Sequence, residues 1–227
     1  MRISVIVPAL NEAALIDTTL DALTPLRARG GEVIVVDGGS TDATVALAAR
    51  KADRVIAAPR GRASQMNAGA ATASGDILLF VHADTRVPVD VDVVIARELA
   101  SGRGVWGRFD VSIDSRRPLL GLVSWGMNVR SRLTGVATGD QAMFVRRDAY
   151  DAVGGFPRLA LMEDVAMSRL LRRGSPPLCL ADRVITSARR WEANGVLRTI
   201  ALMWWLRWRF FLGAAPERLA RSYADHG

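Results

Sequence analysis

The chain has 227 residues, of which 50% are apolar and 23% are charged, and its formal net charge is +7. This length fits one domain with or without an additional segment, and the composition is the opposite of that of a disordered chain. Lys51 is the only lysine, so the basicity comes from arginine, which stays protonated at neutral pH. A high isoelectric point of this origin does not indicate nucleic-acid binding, and no nucleic-acid partner is predicted.

The excess positive charge is confined to two regions. Residues 1–102 carry a net charge of −2 and residues 148–188 are neutral, whereas residues 103–147 carry +5 and residues 189–227 carry +4. We expect the two basic regions to face phosphate-bearing small molecules or a membrane surface.

Cysteine and histidine are too rare for an intrachain disulfide or a zinc site built from these residues. Cys179 is the only cysteine, and His82 and His226 are the only histidines. The first apolar run ends at Pro8 without a cleavage signal, and the apolar segment 196–212 is interrupted by three arginines. The sequence therefore predicts a cytoplasmic protein.

Short apolar strands alternate with amphipathic helices over the first hundred residues. The predicted strands are 3–7, 33–36, 54–57 and 77–81. The first predicted helix is 13–26, with Asn11 as its cap. The second runs to about residue 49, with Ser40 or Thr41 as its cap, and the third is 63–73. This alternation predicts an α/β fold with a mostly parallel central sheet flanked by helices.

The second half is less regular. Its predicted strands are 105–113 and 142–145. Its predicted helices are 118–133, a segment ending at Gly154-Gly155, 164–172 and the very apolar 195–212.

Polar clusters follow each of the first four strands, at the edge where parallel sheets bind ligands. They are residues 8–12, 37–42, 60–62 and 82–84. A carboxylate after the second strand suits a ribose or base, two arginines at a helix start suit phosphate, and an aspartate ending a central strand suits a divalent cation. Together the clusters predict a nucleoside diphosphate with a metal, although each alone is also typical of a turn, a helix cap or surface charge.

Further candidates lie in the second half. Glu163-Asp164 suits a general base with an orienting neighbour, or two carboxylates that complement a helix N-terminus. Arg189-Arg190-Trp191 suits a diphosphate and a sugar face, or the start of a basic surface, and Gly139-Asp140-Gln141 precedes a short strand. No P-loop and no G-x-G-x-x-G pattern occurs, which disfavours a P-loop ATPase and a nicotinamide enzyme.

These segments resemble the motifs of family 2 glycosyltransferases, which have the GT-A fold of nucleotide-diphospho-sugar transferases. The resemblance covers about residues 3–192 and is carried by residues 5–12, 35–42, 65–69 and 82–84, followed in order by Glu163-Asp164 and residues 189–191. A small bacterial subgroup is similar, and some of its members are named for arsenosugar or carotenoid glycosylation.

The resemblance implies an inverting transferase that moves a sugar from a UDP- or GDP-sugar to an acceptor hydroxyl by single displacement. Asp164, with Glu163 beside it, matches the general base, and Asp84 matches the last aspartate of the D-x-D motif, which binds Mg²⁺ or Mn²⁺. The implied nucleotide-sugar site comprises Pro8, Ala9, Leu10, Glu12, Asp37, Arg60, Arg62, Asn67, His82, Ala83, Asp84, Gln141, Arg190 and Trp191.

Two departures from the family pattern keep alternatives open. His82 replaces the first aspartate of D-x-D. Ser187 replaces the glutamine of the Q-x-x-R-W motif of processive members, so polymer synthesis is not expected. The alternatives are a sugar-nucleotide nucleotidyltransferase and an inert protein that binds nucleotide sugars or a membrane surface.

The resemblance predicts a GT-A domain at residues 1–192 and a helical C-terminal appendage at 193–227. Within the domain, residues 1–102 form the nucleotide-binding half and residues 103–192 the acceptor half. The tryptophan-rich helix 196–212 either packs on its own domain, pairs with a second subunit in a homodimer, or docks at the inner face of the membrane. Membrane docking would suit a hydrophobic or lipid-linked acceptor.

Overall fold

The computed structural model describes residues 1–226 and the side chains of residues 1–223, so residue 227 of the predicted appendage lies outside it. The described residues form eight strands: β1 (Ile3–Ala9), β2 (Glu32–Asp37), β3 (Arg54–Ala57), β4 (Ile77–Phe80), β5 (Thr85–Arg86), β6 (Trp106–Asp114), β7 (Phe144–Arg146) and β8 (Leu178–Ser187). They also form the helices α1 (Ile16–Ala28), α2 (Thr44–Ala48), α3 (Arg62–Thr72), α4 (Val91–Ala100), α5 (Pro118–Thr134), α6 (Arg147–Ala152), α7 (Glu163–Leu171), α8 (Arg189–Asn194), α9 (Val196–Phe211) and α10 (Pro216–His226), with a 3₁₀ turn at Gly139–Gln141.

The strands form one mixed sheet in the order β3-β2-β1-β4-β7-β6-β8-β5. The first four strands are parallel where they pair, β7 runs antiparallel to both β4 and β6, and β6 and β8 are parallel. The predicted α/β class with a largely parallel first half is therefore confirmed. The carboxyl ends of β1, β2 and β4 lie at the same edge, which brings the segments that follow them together.

Helices cover both faces of the sheet because side chains alternate along its buried strands. Val5 and Val7 of β1 pack in one apolar cluster with Leu20 of α1 and Ile95 of α4. Ile6, between them, packs in the opposite cluster with residues of α3, α6 and α7, including Met66, Tyr150 and Met167. The buried strands β1, β2 and β4 are consequently near-continuous apolar runs.

Six of these strands and seven of these helices agree with the predicted positions, but two predicted helix caps are wrong. Asn11 has a left-handed backbone (φ 54°), and its side-chain oxygen accepts a hydrogen bond from Thr41 N of the neighbouring loop, so it does not cap α1. Asp42, rather than Ser40 or Thr41, accepts the hydrogen bond from Thr44 N at the start of α2. The prediction omits β5, β8, α4 and α8, and it contains α10 only as part of the helical appendage.

The C-terminal helices pack on the domain with one face only. Leu206 of α9 and Leu219 of α10 share an apolar cluster with Met162 and Val165 at the start of α7. The other face of α9 exposes large side chains, among them Trp204, which is 64% exposed. Of the helices within residues 1–226, none combines the length and the apolar character required to cross a membrane.

Candidate active site

A cavity of about 820 Å³ lies at the carboxyl edge of the sheet, between the segments after β1 and β4 and the starts of α3 and α7. This volume is in the range of small-molecule sites. The predicted site residues that line it are Pro8, Ala9, Leu10, Glu12, Arg60, Arg62, His82, Ala83, Asp84, Glu163, Asp164, Arg190 and Trp191. Residues from widely separated parts of the sequence therefore meet at one site.

Three predicted site residues lie outside the lining and hold neighbouring backbone instead. Asp37 is buried and accepts hydrogen bonds from Gly39 N (2.9 Å) and Ser40 N (3.0 Å), which fixes the turn after β2. Gln141 is buried and accepts a hydrogen bond from Thr138 N at 3.2 Å. These contacts give both side chains a role in shaping the loops around the cavity.

Asn67 is the third of these residues, and it joins α3 to the loop after α6. Its Nδ2 donates to Phe156 O at 2.8 Å, while its Oδ1 accepts from Phe156 N at 2.9 Å and from the Tyr150 hydroxyl. The side chain thus satisfies two backbone groups of that loop and the Tyr150 hydroxyl of α6, and its place in the nucleotide site stays a prediction.

Asn67→Ala is expected to lower the free energy of unfolding by about 1–3 kcal/mol, because it removes the partner of buried polar groups. Nucleotide affinity should change little. Urea denaturation measures the first quantity and isothermal titration with UDP or GDP the second. Arg62→Gln, at the cavity, should show the reverse pattern, and a loss of nucleotide affinity in Asn67→Ala without loss of stability would contradict the interpretation.

The segment after β1 is fixed from two sides. Gln65 of α3 donates from Nε2 to Ala9 O (2.8 Å) and to Val36 O (2.7 Å), so it joins the ends of β1 and β2 beneath the cavity. Glu12 accepts a hydrogen bond from Arg189 Nη2 at 2.7 Å, an ion pair that connects the first loop to α8. These contacts hold the first strand end in place relative to the C-terminal part of the chain.

The 3₁₀ turn connects the end of β4 to the start of α7. His82 Nδ1 lies 3.2 Å from Asp140 Oδ1, and Gly139 N donates to Asp164 Oδ2 at 2.8 Å. A Cβ atom at position 139 would lie 2.2 Å from His82 Nε2, so only glycine allows the histidine to pack there. The turn therefore holds His82, Asp140 and Asp164 in one arrangement.

Asp140 is an anionic residue of the cavity wall that is not among the residues of the implied nucleotide-sugar site. Burial raises its pKa, but the hydrogen bond and charge of His82, with the charges of Arg62 and Arg190, outweigh this effect and lower the pKa to about 2. The carboxylate is consequently ionised over the whole physiological pH range. It lies beside the position at which the D-x-D motif has its first aspartate.

Glu163 and Asp164 occupy the first turn of α7, immediately after Met162, which has a left-handed backbone (φ 69°). Asp164 Oδ1 accepts a hydrogen bond from Val165 N at 2.7 Å. Burial, and then the charge of Asp164, raise the pKa of Glu163. Two adjacent carboxyl groups are thus placed in different environments, as expected for a pair with different roles.

Strained backbone is found around the site. Asn11, Ala142 and Met162 are the residues other than glycine with positive φ in the part of the chain that the structure describes. Asn11 and Ala142 flank segments of the cavity wall, and Met162 lines it. Such conformations cost about 1–3 kcal/mol each and are concentrated at functional sites, where they position side chains.

Arginines from different elements surround the carboxylates. Arg60 and Arg62, at the start of α3, are exposed at the cavity. The guanidinium of Arg190 lies over the ring of Tyr223 from α10, 4.6 Å from its centroid, and interacts with the charges of Arg62 and Asp84. The positive charge on this side is available for a diphosphate.

The C-terminal helices complete the cavity wall. Thr199, Met203, Leu206 and Arg207 of α9, with Ala220 and Tyr223 of α10, line it. The sequence does not identify them, because the packing of α9 against α7 decides which face of the helix points inward. The predicted division of the chain at residue 192 stays a prediction, but residues on both sides of it form the same cavity.

A parallel half-sheet whose strand ends face arginines and carboxylates is typical of α/β enzymes that bind nucleotides. Residues 4–154 match the family model "Glycosyl transferase family 2", and the chain belongs to that family. Glucosyl-3-phosphoglycerate synthase of Mycobacterium tuberculosis (strain ATCC 25618 / H37Rv) is 36% identical over 114 residues, which are 45% of this chain and 35% of the synthase. The chain matches only about a third of the length of that relative.

Solved structures share the fold and confirm the GT-A type. S. aureus TarS 1-349 in complex with UDP-GlcNAc has a TM-score of 0.69 at 21% identity and covers 82% of this chain and 58% of TarS. The mannosyltransferase PcManGT from Pyrobaculum calidifontis, with GDP-Man and Mn²⁺, has a TM-score of 0.64 at 25% identity, over 81% and 56% of the two chains. The M. tuberculosis synthase with Mg²⁺ and UDP has a TM-score of 0.60 at 21% identity, over 82% and 70%.

Proposed function

We propose that this chain transfers a sugar from a UDP- or GDP-sugar to an acceptor hydroxyl with inversion, by a single displacement. The observation that carries this proposal is that one cavity gathers the strand-end segments, a set of arginines and the Glu163-Asp164 pair. The ligands of the similar structures, UDP-GlcNAc, GDP-Man and UDP, support a nucleoside-diphosphate sugar as donor.

The donor would lie across the carboxyl edge of the sheet. Pro8 and Leu10 offer apolar surface and backbone to the base, and the turn held by Asp37 follows the next strand. Arg60 and Arg62 stand at the start of α3, where backbone N–H groups lack partners within the helix and favour phosphate. Arg190 adds a third cation, so the diphosphate would be neutralised from two sides of the cavity.

Asp164 would act as the general base. Backbone N–H groups hold each of its oxygens, which fixes the carboxylate while leaving lone pairs directed toward the cavity. In a single displacement the acceptor oxygen attacks the anomeric carbon opposite the departing diphosphate, and its proton passes to Asp164. Inversion of the anomeric configuration follows from that geometry.

A divalent cation fits the carboxylates of this site. Within the described residues, no group of three or more His, Cys, Asp or Glu side chains forms a metal cage. Mg²⁺ is commonly held by one or two carboxylates together with substrate phosphates, and Asp84, with the ionised Asp140 nearby, supplies that type of donor set. The ion would offset the charge that grows on the leaving diphosphate.

The proposal is tested with the isolated protein and a panel of UDP- and GDP-sugars in the presence of Mn²⁺. We expect one donor to raise the melting temperature and to be hydrolysed slowly without an acceptor. Binding without hydrolysis or transfer would favour the inert binding protein. Release of pyrophosphate from a nucleoside triphosphate and a sugar phosphate would favour the nucleotidyltransferase.

We also propose that α9, together with α5, contacts an anionic membrane surface. α9 exposes Leu197, Trp204, Trp205, Trp208, Phe211 and Leu212, and α5 exposes Leu119, Leu122, Trp125 and Leu133. The inner sides of the two helices meet in one apolar cluster that contains Leu120 and Val196. Neither helix contains an acidic residue, so a second copy would bring like charges together, whereas tryptophan and arginine suit a bilayer of anionic lipid.

Replacing Trp204 and Trp208 by serine together is expected to abolish co-sedimentation with phosphatidylglycerol vesicles. The wild-type protein should bind these vesicles and bind phosphatidylcholine vesicles much less. Val89→Ser is the matched control, because Val89 is similarly exposed (66%) but precedes α4. A wild-type protein that remains in the supernatant, or a dimer that the double variant dissociates, would refute membrane contact.

A further inference from the structure

A positively charged corner of the site, formed by Arg207 and Arg130, lies near Asp164. Arg207, from α9, lines the cavity and interacts with the charges of Asp164 and Asp140. Arg130, from α5, interacts with the charges of Arg207 and Asp164. Two guanidinium groups from helices far apart in the sequence therefore interact with the charge of the same carboxylate.

These two cations are not neutralised by hydrogen-bonded partners. Arg130 Nε and Nη2 are buried without a hydrogen-bond partner among the residues that the structure describes. By contrast, Arg108 and Arg132, their neighbours in the fold, both form ion pairs with Asp110. Both oxygens of Asp164 already accept backbone hydrogen bonds, from Gly139 and Val165.

Both arginines nevertheless remain charged. Burial, and then the charge of Arg207, lower the pKa of Arg130 to about 10, and burial lowers the pKa of Arg207. A buried cation without a partner is unfavourable for the folded protein, and an anionic ligand removes that cost. The corner therefore has the properties of an anion site that is completed when the ligand binds.

This corner is distinct from the cations proposed for the diphosphate. Arg190 interacts with Arg62, Asp84 and Asp140, whereas Arg207 interacts with Asp164 and Asp140. Asp84 is thus among the charges that act on Arg190, Asp164 is among those that act on Arg207, and Asp140 acts on both. An anion held by Arg207 would stand next to the general base, where the acceptor must lie.

We propose that Arg207, supported by the charge of Arg130, binds a phosphate or carboxylate group of the acceptor and places the acceptor hydroxyl beside Asp164. This proposal rests on the proposed transferase function, because the acceptor is defined by that reaction. It makes Arg207 a determinant of acceptor specificity and assigns the acceptor to the class of anionic alcohols.

Inorganic phosphate is the probe for this site. Protein saturated with UDP or GDP and Mn²⁺, so that the diphosphate position is filled, is titrated with phosphate by calorimetry. Arg207→Gln should weaken phosphate binding at least tenfold and leave nucleotide affinity unchanged. Arg209→Gln is the control, because Arg209 lies on the same helix but is exposed and packs over Trp205; it should bind phosphate like the wild type.

Stability gives a second measurement that does not depend on one variant. Arg130→Met and Arg207→Met should keep or raise the melting temperature in buffer without phosphate, because each removes a partly buried positive charge that has no hydrogen-bond partner among the described residues. Phosphate should raise the melting temperature of the wild type and have little effect on these variants. An equal phosphate-induced shift in all three proteins would overturn the proposal.

Turnover measurements with different acceptors distinguish a soluble anionic acceptor from a lipid acceptor. Donor consumption is compared with glycerol, glycerol 3-phosphate and phosphatidylglycerol vesicles as acceptors. Stimulation by glycerol 3-phosphate assigns a soluble phosphorylated acceptor, and stimulation by the vesicles assigns a lipid acceptor. A preference for glycerol contradicts the anion site.

If nucleotide binds but phosphate does not, the anion site fails and the transferase proposal stands. If no nucleotide binds while phosphate binding still depends on Arg207, the transferase proposal fails.

Discussion

Replacing Asp164 by asparagine is expected to lower donor turnover by about 10²–10⁴-fold, the usual contribution of a general base. The amide keeps a side-chain oxygen that accepts the hydrogen bond from Gly139 N, so the turn beside His82 should be retained. Affinity for UDP or GDP should stay close to that of the wild type, because the base faces the acceptor. Chromatographic detection of released nucleotide measures turnover, and calorimetry measures affinity.

Glu163→Gln is the matched control for this prediction. Burial and the charge of Asp164 favour the protonated form of Glu163, and glutamine resembles that form in size and charge. We expect a loss of turnover of less than about tenfold, far below the range for loss of a general base. Wild-type turnover in Asp164→Asn, or a larger loss in Glu163→Gln than in Asp164→Asn, would show that the roles of the two carboxyl groups are assigned wrongly.

The first half of the fold is readable from sequence because its signals are local. β1 and β2 are mostly apolar and buried on both faces, and a turn-forming polar cluster closes each of them. β8 is harder to recognise, since exposed residues at 181–183 interrupt its apolar positions. α4 has the apolar spacing of an amphipathic helix, with Val91, Val94, Ile95 and Leu99 buried. This helix could therefore have been predicted from the sequence.

The site was predictable where function is carried by residues at strand ends. Asp84, Arg62 and Asp164 follow or open regular elements, and parallel strands bring such positions to one edge. Arg207 is different, because the chain has many arginines and only the tertiary packing of α9 shows which one enters the cavity. Local motif reading therefore identifies the part of the cavity wall formed at the strand ends and misses the part formed by α9.

His82 illustrates how a sequence departure is resolved by structure. A histidine at the first position of D-x-D removes a carboxylate from the motif. In the fold, the same histidine holds Asp140 at 3.2 Å and helps to keep it ionised. Asp140, a carboxylate distant in sequence, is thus brought close to the position at which the motif has its first aspartate.

Asp84→Asn is expected to weaken nucleotide binding in the presence of Mn²⁺ by at least about tenfold, since a cation bridging carboxylate and phosphate loses one of its few protein ligands. Asparagine keeps a side-chain oxygen for the contact with the Thr85 hydroxyl, and the backbone bond from Ser187 N to residue 84 is unaffected. The loop should therefore keep its shape, and titration with nucleotide in Mn²⁺ or in chelator isolates the effect of the metal.

The same titration compares Asp84→Asn with two further variants. Asp182→Asn, at an exposed position of β8, should bind nucleotide and Mn²⁺ like the wild type. Asp140→Asn should show an intermediate loss, because its carboxylate is near but is hydrogen-bonded to His82. Nucleotide binding by the wild type that is insensitive to chelator would argue against Asp84 as a ligand, and the arginines alone would then hold the diphosphate. Equal losses in Asp84→Asn and Asp140→Asn would instead place the cation between the two carboxylates, which would make His82 a positioning residue for the metal.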